Sequence, residues 1–237
     1  MVISLDFEVI SLCKSYKKRK EKKSTILNSL SFATNRGSVI SIAGSNGSGK
    51  STLLSVLAGI LKADSGSFLY CGDDLLNNKK KLSSLIGYVP QENVLMEELS
   101  GLDNLKLWYN SSALKSASEE NGILSLLDVS SFVNKKVSQM SGGMKKRLSI
   151  ACAVARSPKV LLLDEPSGAL DLPCKQKLYD YYKSFAADGG IVVIATHEIE
   201  EIALSNKVFI FQDGTLFPYE YDGDASKFIN LLSDGDK

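Results

Sequence analysis

Nine residues, Gly44-Ser45-Asn46-Gly47-Ser48-Gly49-Lys50-Ser51-Thr52, leave this chain the fewest structural options. They follow the apolar run Val39-Ile40-Ser41-Ile42-Ala43 and open into a helical pattern from Leu53 to Leu61, so the pattern G-x-x-x-x-G-K-[ST] sits in the strand-turn-helix setting it requires. Glycines let successive backbone N–H groups turn toward one anion, and the helix N-terminus adds roughly half a positive charge there. The natural occupant is phosphate. Lys50 is placed to reach the outer phosphates and Ser51 to bind Mg²⁺, which predicts a nucleoside triphosphate rather than any anion. The plainer alternative, a Gly/Ser surface loop before a buried helix, does not call for both the pattern and its setting.

A second constellation lies in Val160-Leu161-Leu162-Leu163-Asp164-Glu165. A continuous apolar strand is expected where both faces of a mainly parallel sheet are buried, and ligands of such sheets gather at the C-terminal strand ends. Two carboxylates stand at that end. An Asp that holds Mg²⁺ is the usual companion of a phosphate loop, and an adjacent Glu is suited to orient or deprotonate water. Taken alone, the pair could merely end a strand. Ile191 to Ala195 predicts another buried strand, and it ends at Thr196 and His197, the only histidine.

The rest of the chain reads as an α/β protein. Strands are expected from Phe7 to Cys13 with Tyr16 at the end, Ile26 to Thr34, Ser38 to Ala43, Ser67 to Cys71 and Ile86 to Val89, with a hairpin around Val208 to Phe211 and Gly214. The basic block from Lys17 to Lys23 predicts a solvated hairpin tip, with contact to anionic lipid as the alternative. Asn77 to Lys81 reads as solvated surface. Leu53, Leu57, Ile60 and Leu61 form the expected buried face of the helix after the loop. From about Glu97 to Gln139 the pattern turns helical, with Leu102 to Ala113 and Glu119 to Leu127 as helices. Ser116 to Glu119 has the form of a capping box before the second, and Trp108 is read as core packing or a partner contact. A further helix spans Met144 to Arg156, and its basic start at Lys145, Lys146 and Arg147 opposes the helix dipole unless an anion lies nearby. Leu178 to Phe185 continues another helix, and the tail from Gly223 predicts a terminal one.

Composition excludes several classes. The balance of 28 Lys+Arg against 27 Asp+Glu gives no basic excess to imply nucleic acid. The longest apolar run, Ile150 to Ala155, is far short of the roughly 18 residues a spanning helix needs. Asp6 and Glu8 speak against a signal peptide, and the expected place is the cytosol. Cys13, Cys71, Cys152 and Cys174 form no C-x-x-C pair, so reduced thiols are expected rather than zinc or a disulfide framework.

From about Phe7 to Gly214 the chain resembles the ATP-binding cassette of an ABC transporter. The specific part of the likeness is Ser141-Gly142-Gly143, which resembles the family's signature, together with Gln91, Asp164-Glu165, Leu170-Asp171 and His197 in family order and spacing. The resemblance implies one domain over 1–237: a P-loop core with a mainly parallel sheet and an N-terminal antiparallel β part over 1–92 and 157–237, and an inserted helical subdomain over 93–156. It implies that Tyr16 stacks on adenine and that Gly44, Ser45, Asn46, Gly47, Ser48, Gly49, Lys50, Ser51 and Thr52 hold ATP. Ser51, Gln91 and Asp164 would serve Mg²⁺, Glu165 would be the general base, and His197 would contact the γ-phosphate. It also implies a homodimer or heterodimer of cassettes in which Ser141, Gly142 and Gly143 cap the other subunit's nucleotide, with the basic residues behind them facing that phosphate.

The same resemblance implies a separate integral membrane permease, reached from the cytoplasmic face of the membrane through Gln91 and the helical segment. Met140 and Met144 flank the signature where Leu and Gln are frequent, and Met144 points toward the drug-export-like branches. Gly168 and Leu172 also depart from the usual Ser and Pro, which bears on the cross-subunit contact of that loop. Two other classes compete: a soluble ABC-type ATPase of DNA repair or translation, which would carry a long coiled coil or a second cassette, and a regulatory nucleotide-binding module, expected to lack Glu165 or His197.

Overall fold

The computed structural model describes residues 5–16, 24–168 and 170–234, so the basic block expected as a hairpin tip lies outside the described residues. In chain order the elements are β1 (Phe7–Tyr16), β2 (Ser24–Thr34), β3 (Ser38–Ala43), α1 (Lys50–Leu57), β4 (Ser65–Tyr70), β5 (Asp73–Asp74), α2 (Lys79–Leu85) and β6 (Ile86–Val89). Then come α3 (Gly101–Lys106), α4 (Ser111–Ala117), α5 (Ile123–Leu126), α6 (Gly142–Ala153), β7 (Val160–Asp164), α7 (Leu172–Ala187), β8 (Ile191–Ala195), α8 (Ile199–Ala203), β9 (Lys207–Gln212), β10 (Thr215–Tyr219) and α9 (Ala225–Asp234).

Two sheets result. One is antiparallel, in the order β2-β1-β4-β5; the other runs β10-β9-β3-β8-β7-β6, parallel throughout except for the hairpin strand β10. Strand side chains alternate between faces, and the parallel sheet uses that alternation to build two cores. Val39, Leu161, Leu163, Val192 and Ile194 face a cluster containing Leu178 and Tyr182 of α7, Leu148 and Ile150 of α6, and Leu105, Leu124 and Phe132 of the helical segment. Ile40, Ile42, Leu162, Ile191 and Val193 face the other way, onto Leu53, Leu54 and Leu57 of α1 and Phe7, Phe32 and Phe68 of the antiparallel sheet. The expected α/β architecture, with its P-loop core, antiparallel β part and inserted helices, is what the chain forms.

Several local expectations are corrected. Helix α1 stops at Leu57, and Gly59 at φ +73° turns the chain away, a left-handed conformation that glycine adopts without penalty. Leu53 and Leu57 are buried as expected, but Ile60 lies beyond the helix and is 65% exposed. The stretch read as solvated surface is exposed from Asn77 to Lys80, as expected, and it also begins a helix: the Asn78 side chain accepts from the Lys81 N–H and caps α2. The helix expected over 102–113 is two, because Asn110 leaves the helical conformation and its side chain caps α4 by accepting from the Ala113 N–H. Ser116 to Glu119 does not open a helix; it ends α4, and the Ser118 hydroxyl bonds back to the Leu114 carbonyl. Trp108 is not core packing: it is 51% exposed, with the Arg156 guanidinium 5.9 Å from its ring centroid. Cys13, Cys71, Cys152 and Cys174 are free thiols.

Candidate functional site

The parallel register brings four chain exits to one sheet edge. Asp164 pairs with Ala195, Ile42 also pairs with Ala195, and Val89 pairs with Leu163. The loop after β3, Pro90-Gln91 after β6, Glu165 after β7 and Thr196-His197 after β8 therefore leave side by side. Lys50 and Asp164, far apart in the sequence, come within electrostatic reach of each other at this edge.

The loop over 44–49 turns through Gly47 at φ +79° and Gly49 at φ +121°. A side chain at Gly49 would be strained by its backbone and would meet Ile26 Cγ2 at 2.6 Å. Lys50 is the first residue of α1 and is buried. Its ammonium donates to the carbonyls of Gly44 at 2.7 Å and Ser45 at 2.9 Å, and so is held across the loop. Burial lowers its pKa, while the Glu165 and Asp164 carboxylates pull the other way and favour the charged form.

Asp164 ends β7 in a buried position, and its Oδ1 has no protein partner. Burial raises its pKa against a hydrogen bond from Ser51. The hydroxyl of Ser51 and an unmatched carboxylate oxygen make an oxygen donor pair suited to a hard divalent cation, and Mg²⁺ completes such a shell with water and phosphate oxygens. No group of three or more His, Cys, Asp and Glu able to hold a metal by itself occurs among the described residues. Glu165 follows at φ +47° with its N–H bound to the Ala195 carbonyl. A non-glycine residue in that region is strained, and such strain is retained where the surroundings fix it. His197 Nδ1 lies 2.8 Å from Glu165 Oε2, so the strand ends bring base candidate and histidine together.

Other expected residues take separate places. Tyr16, partly exposed at the end of β1, has the Lys14 ammonium 5.4 Å from its ring centroid. Gln91 is exposed, with its carbonyl accepting from Lys146. Ser141 caps α6, its hydroxyl accepting from the Met144 N–H at 3.3 Å. Ser141, Gly142 and Gly143 line a hollow shared with Arg147, Leu170, Asp171 and Cys174 rather than with the phosphate loop.

The basic start of α6 does not await an anion. Lys145 pairs with Glu97 at 2.6 Å, and Arg147 with Asp128 at 3.1 Å and with the face of Phe132. Lys146 donates to the Pro90 and Gln91 carbonyls, each at 3.0 Å. Intrachain partners thus resolve the conflict with the helix dipole.

Sequence patterns leave out Glu201 and mark Lys146 without its partners. Glu201 of α8 is fully buried, the Ser167 and Thr196 hydroxyls face its carboxylate, and burial pushes its pKa up to about 7. Neither carboxylate oxygen finds good hydrogen-bond geometry, and the same holds for Ser167 Oγ and the hydroxyls of Tyr179 and Tyr182. Lys146, named in the basic start of α6, is buried, and it lies three and four residues from Ser149 and Ile150 on the inner face of that helix.

The family model described as ABC transporter matches residues 27–168. The chain belongs to the ABC transporter family. Within it, the lantibiotic transport ATP-binding protein SrtF of Streptococcus pyogenes is 35% identical over 221 residues, which cover 91% of each chain. A probable multidrug ABC transporter ATP-binding protein of Escherichia coli, YbhF, is 32% identical over 200 residues, covering 83% of this chain and 34% of that protein. The chain spans between 21% and 34% of the length of several such relatives. Among solved structures, the dimeric ATP-binding cassette MJ0796, in a post-hydrolysis state bound to ADP and Pi, superposes with a TM-score of 0.81 at 26% identity, covering 92% of this ABC chain and 100% of the other.

Proposed function

We propose that this chain binds and hydrolyses ATP as the nucleotide-binding subunit of an ABC transporter, and drives transport through a separate membrane permease. The observation that carries this reading is the meeting of Lys50, Asp164, Glu165 and His197 at one sheet edge. Lys50 neutralises the outer phosphates from within the loop. Ser51 and Asp164, with Gln91, hold Mg²⁺, which supplies charge neutralisation to the phosphates when bound. Glu165 takes the proton of the attacking water, and His197, in contact with it, faces the γ-phosphate. Tyr16 supplies a ring for adenine.

Two cassettes, identical or not, close over two nucleotides, with Ser141, Gly142 and Gly143 reaching the partner's. The superposition on a dimeric cassette supports this arrangement. So does the open hollow at the signature, since the N-terminus of α6 lines it and a helix N-terminus suits an anion. The division into a core over 1–92 and 157–237 and a helical part over 93–156 belongs to the same proposal. The chain works at the cytoplasmic face of the membrane, and among the described residues no helix is long and apolar enough to cross one. The name of the multidrug relative and the Met144 variant of the signature support export as the direction.

Lys50→Ala tests the site. Removing the cation should weaken binding of a fluorescent ATP analogue by tenfold or more, because the backbone cradle cannot by itself balance the outer phosphates. Equal affinities would place the nucleotide elsewhere.

A further inference from the structure

Pro90 and Gln91 leave β6 beside the carboxylate pair, since Val89 is in register with Leu163. Ser141, Gly142 and Gly143 begin α6 in a different hollow. One side chain joins the two. Lys146, on the first turns of α6 and almost fully buried, donates to the Pro90 and Gln91 carbonyls. Two flanking contacts fasten the same stretch: Lys145 to Glu97 at 2.6 Å and Ser149 Oγ to Asn93 Oδ1 at 3.1 Å.

A buried ammonium is costly unless its N–H groups are satisfied and opposite charge is near. Here the carbonyls satisfy it, and the carboxylates of Asp164, Glu165 and Glu201 act on it while burial lowers its pKa. An apolar residue would fill that position on α6 without this cost. What it could not do is hold two consecutive carbonyls at the chain exit next to the reacting edge.

We propose that Lys146 is a positioning residue: it fixes the backbone at Gln91, and so the Gln91 side chain, and makes the exit from β6 and the N-terminus of α6 move as one unit. This inference rests on the proposed ATPase reading. The assignment concerns turnover, not capture of nucleotide, because Lys146 touches the Gln91 backbone and not the phosphate loop.

The test is a double-mutant cycle on the purified full chain with MgATP. Lys146→Met should lower kcat about tenfold and leave the Kd for MgATP within threefold of wild type. Lys146→Arg, which keeps a buried donor, should recover most of the loss. In a Gln91→Ala background the Met substitution should change kcat by less than twofold, since the residue acts through Gln91. A wild-type kcat in Lys146→Met, a parallel loss of kcat and affinity, or additivity with Gln91→Ala would overturn the proposal. If Lys146→Met does not fold, Asn93→Ala removes the neighbouring tether at an exposed position. It should lower kcat two- to threefold at unchanged Kd, again without additivity to Gln91→Ala, and additivity would overturn the proposal equally. A wild-type chain that binds no ATP defeats the functional reading and this inference with it. A wild type that turns over ATP beside an equally active Lys146→Met defeats the inference alone.

Discussion

Glu201 ties the loops that carry Glu165 and His197 to pH. Its pKa rises from an ordinary 4.5 to about 7, chiefly by burial, with Glu165 and Glu198 adding repulsion and the Thr196 and Ser167 hydroxyls opposing. Tyr179 and Tyr182 of α7 and Lys146 of α6 also feel this carboxylate. The folded chain holds that proton more tightly than the unfolded one. The stability this contributes is therefore complete below pH 4.5 and is lost as pH rises toward about 7. The full effect is on the order of 3 kcal/mol. Glu201→Gln removes the titration, so its melting temperature relative to wild type should climb as pH rises through that window. Melting curves recorded across the window check this, and a constant difference at every pH would contradict it.

At the scale of elements, the segment between β6 and α3 exposes large apolar side chains. Val94 is 77% and Met96 55% exposed, and Trp108 stands open at the end of α3, whereas Leu95 packs against the core. Burying two such side chains contributes about 3 to 6 kcal/mol before association costs. In the proposed complex this surface receives the permease. Val94→Asp with Met96→Asp should abolish co-sedimentation with permease-containing membranes while ATP binding stays intact. Retained co-sedimentation would remove this segment from the interface. Leu95→Asp does not make the same test, because a charge there disturbs packing.

The elements themselves were unevenly legible. β3, the phosphate loop, α1 and the β7 strand with its carboxylates were readable because their signals are local: an apolar run, glycines at fixed offsets, acids at a strand end. Ile60 was misplaced because helical periodicity was continued past Gly59. The break near Asn110 was missed although an Asn suited to an N-cap marked it, and Tyr109 beside it is held by its hydroxyl's bond to the Ala151 carbonyl. Lys146 and Glu201 owe their roles to partners across the fold, the Lys146 carbonyls lying 55 and 56 residues away in sequence. No local pattern announces such a contact.

At the scale of the molecule, the chain holds one set of groups for the outer phosphates and a signature that lines a separate hollow. In the proposed dimer, that division leaves each site half-built until a second cassette arrives. Glu165→Gln reads both parts of the account in one preparation, because loss of the base should trap the closed pair with ATP between its subunits. The decisive measurement is phosphate release by the wild type and by this variant at saturating MgATP, with molar mass followed by light scattering. The account predicts turnover reduced by about 10²- to 10⁴-fold, the usual worth of a positioned general base, and a dimer of the variant that appears only with ATP. Wild-type turnover in Glu165→Gln would contradict it.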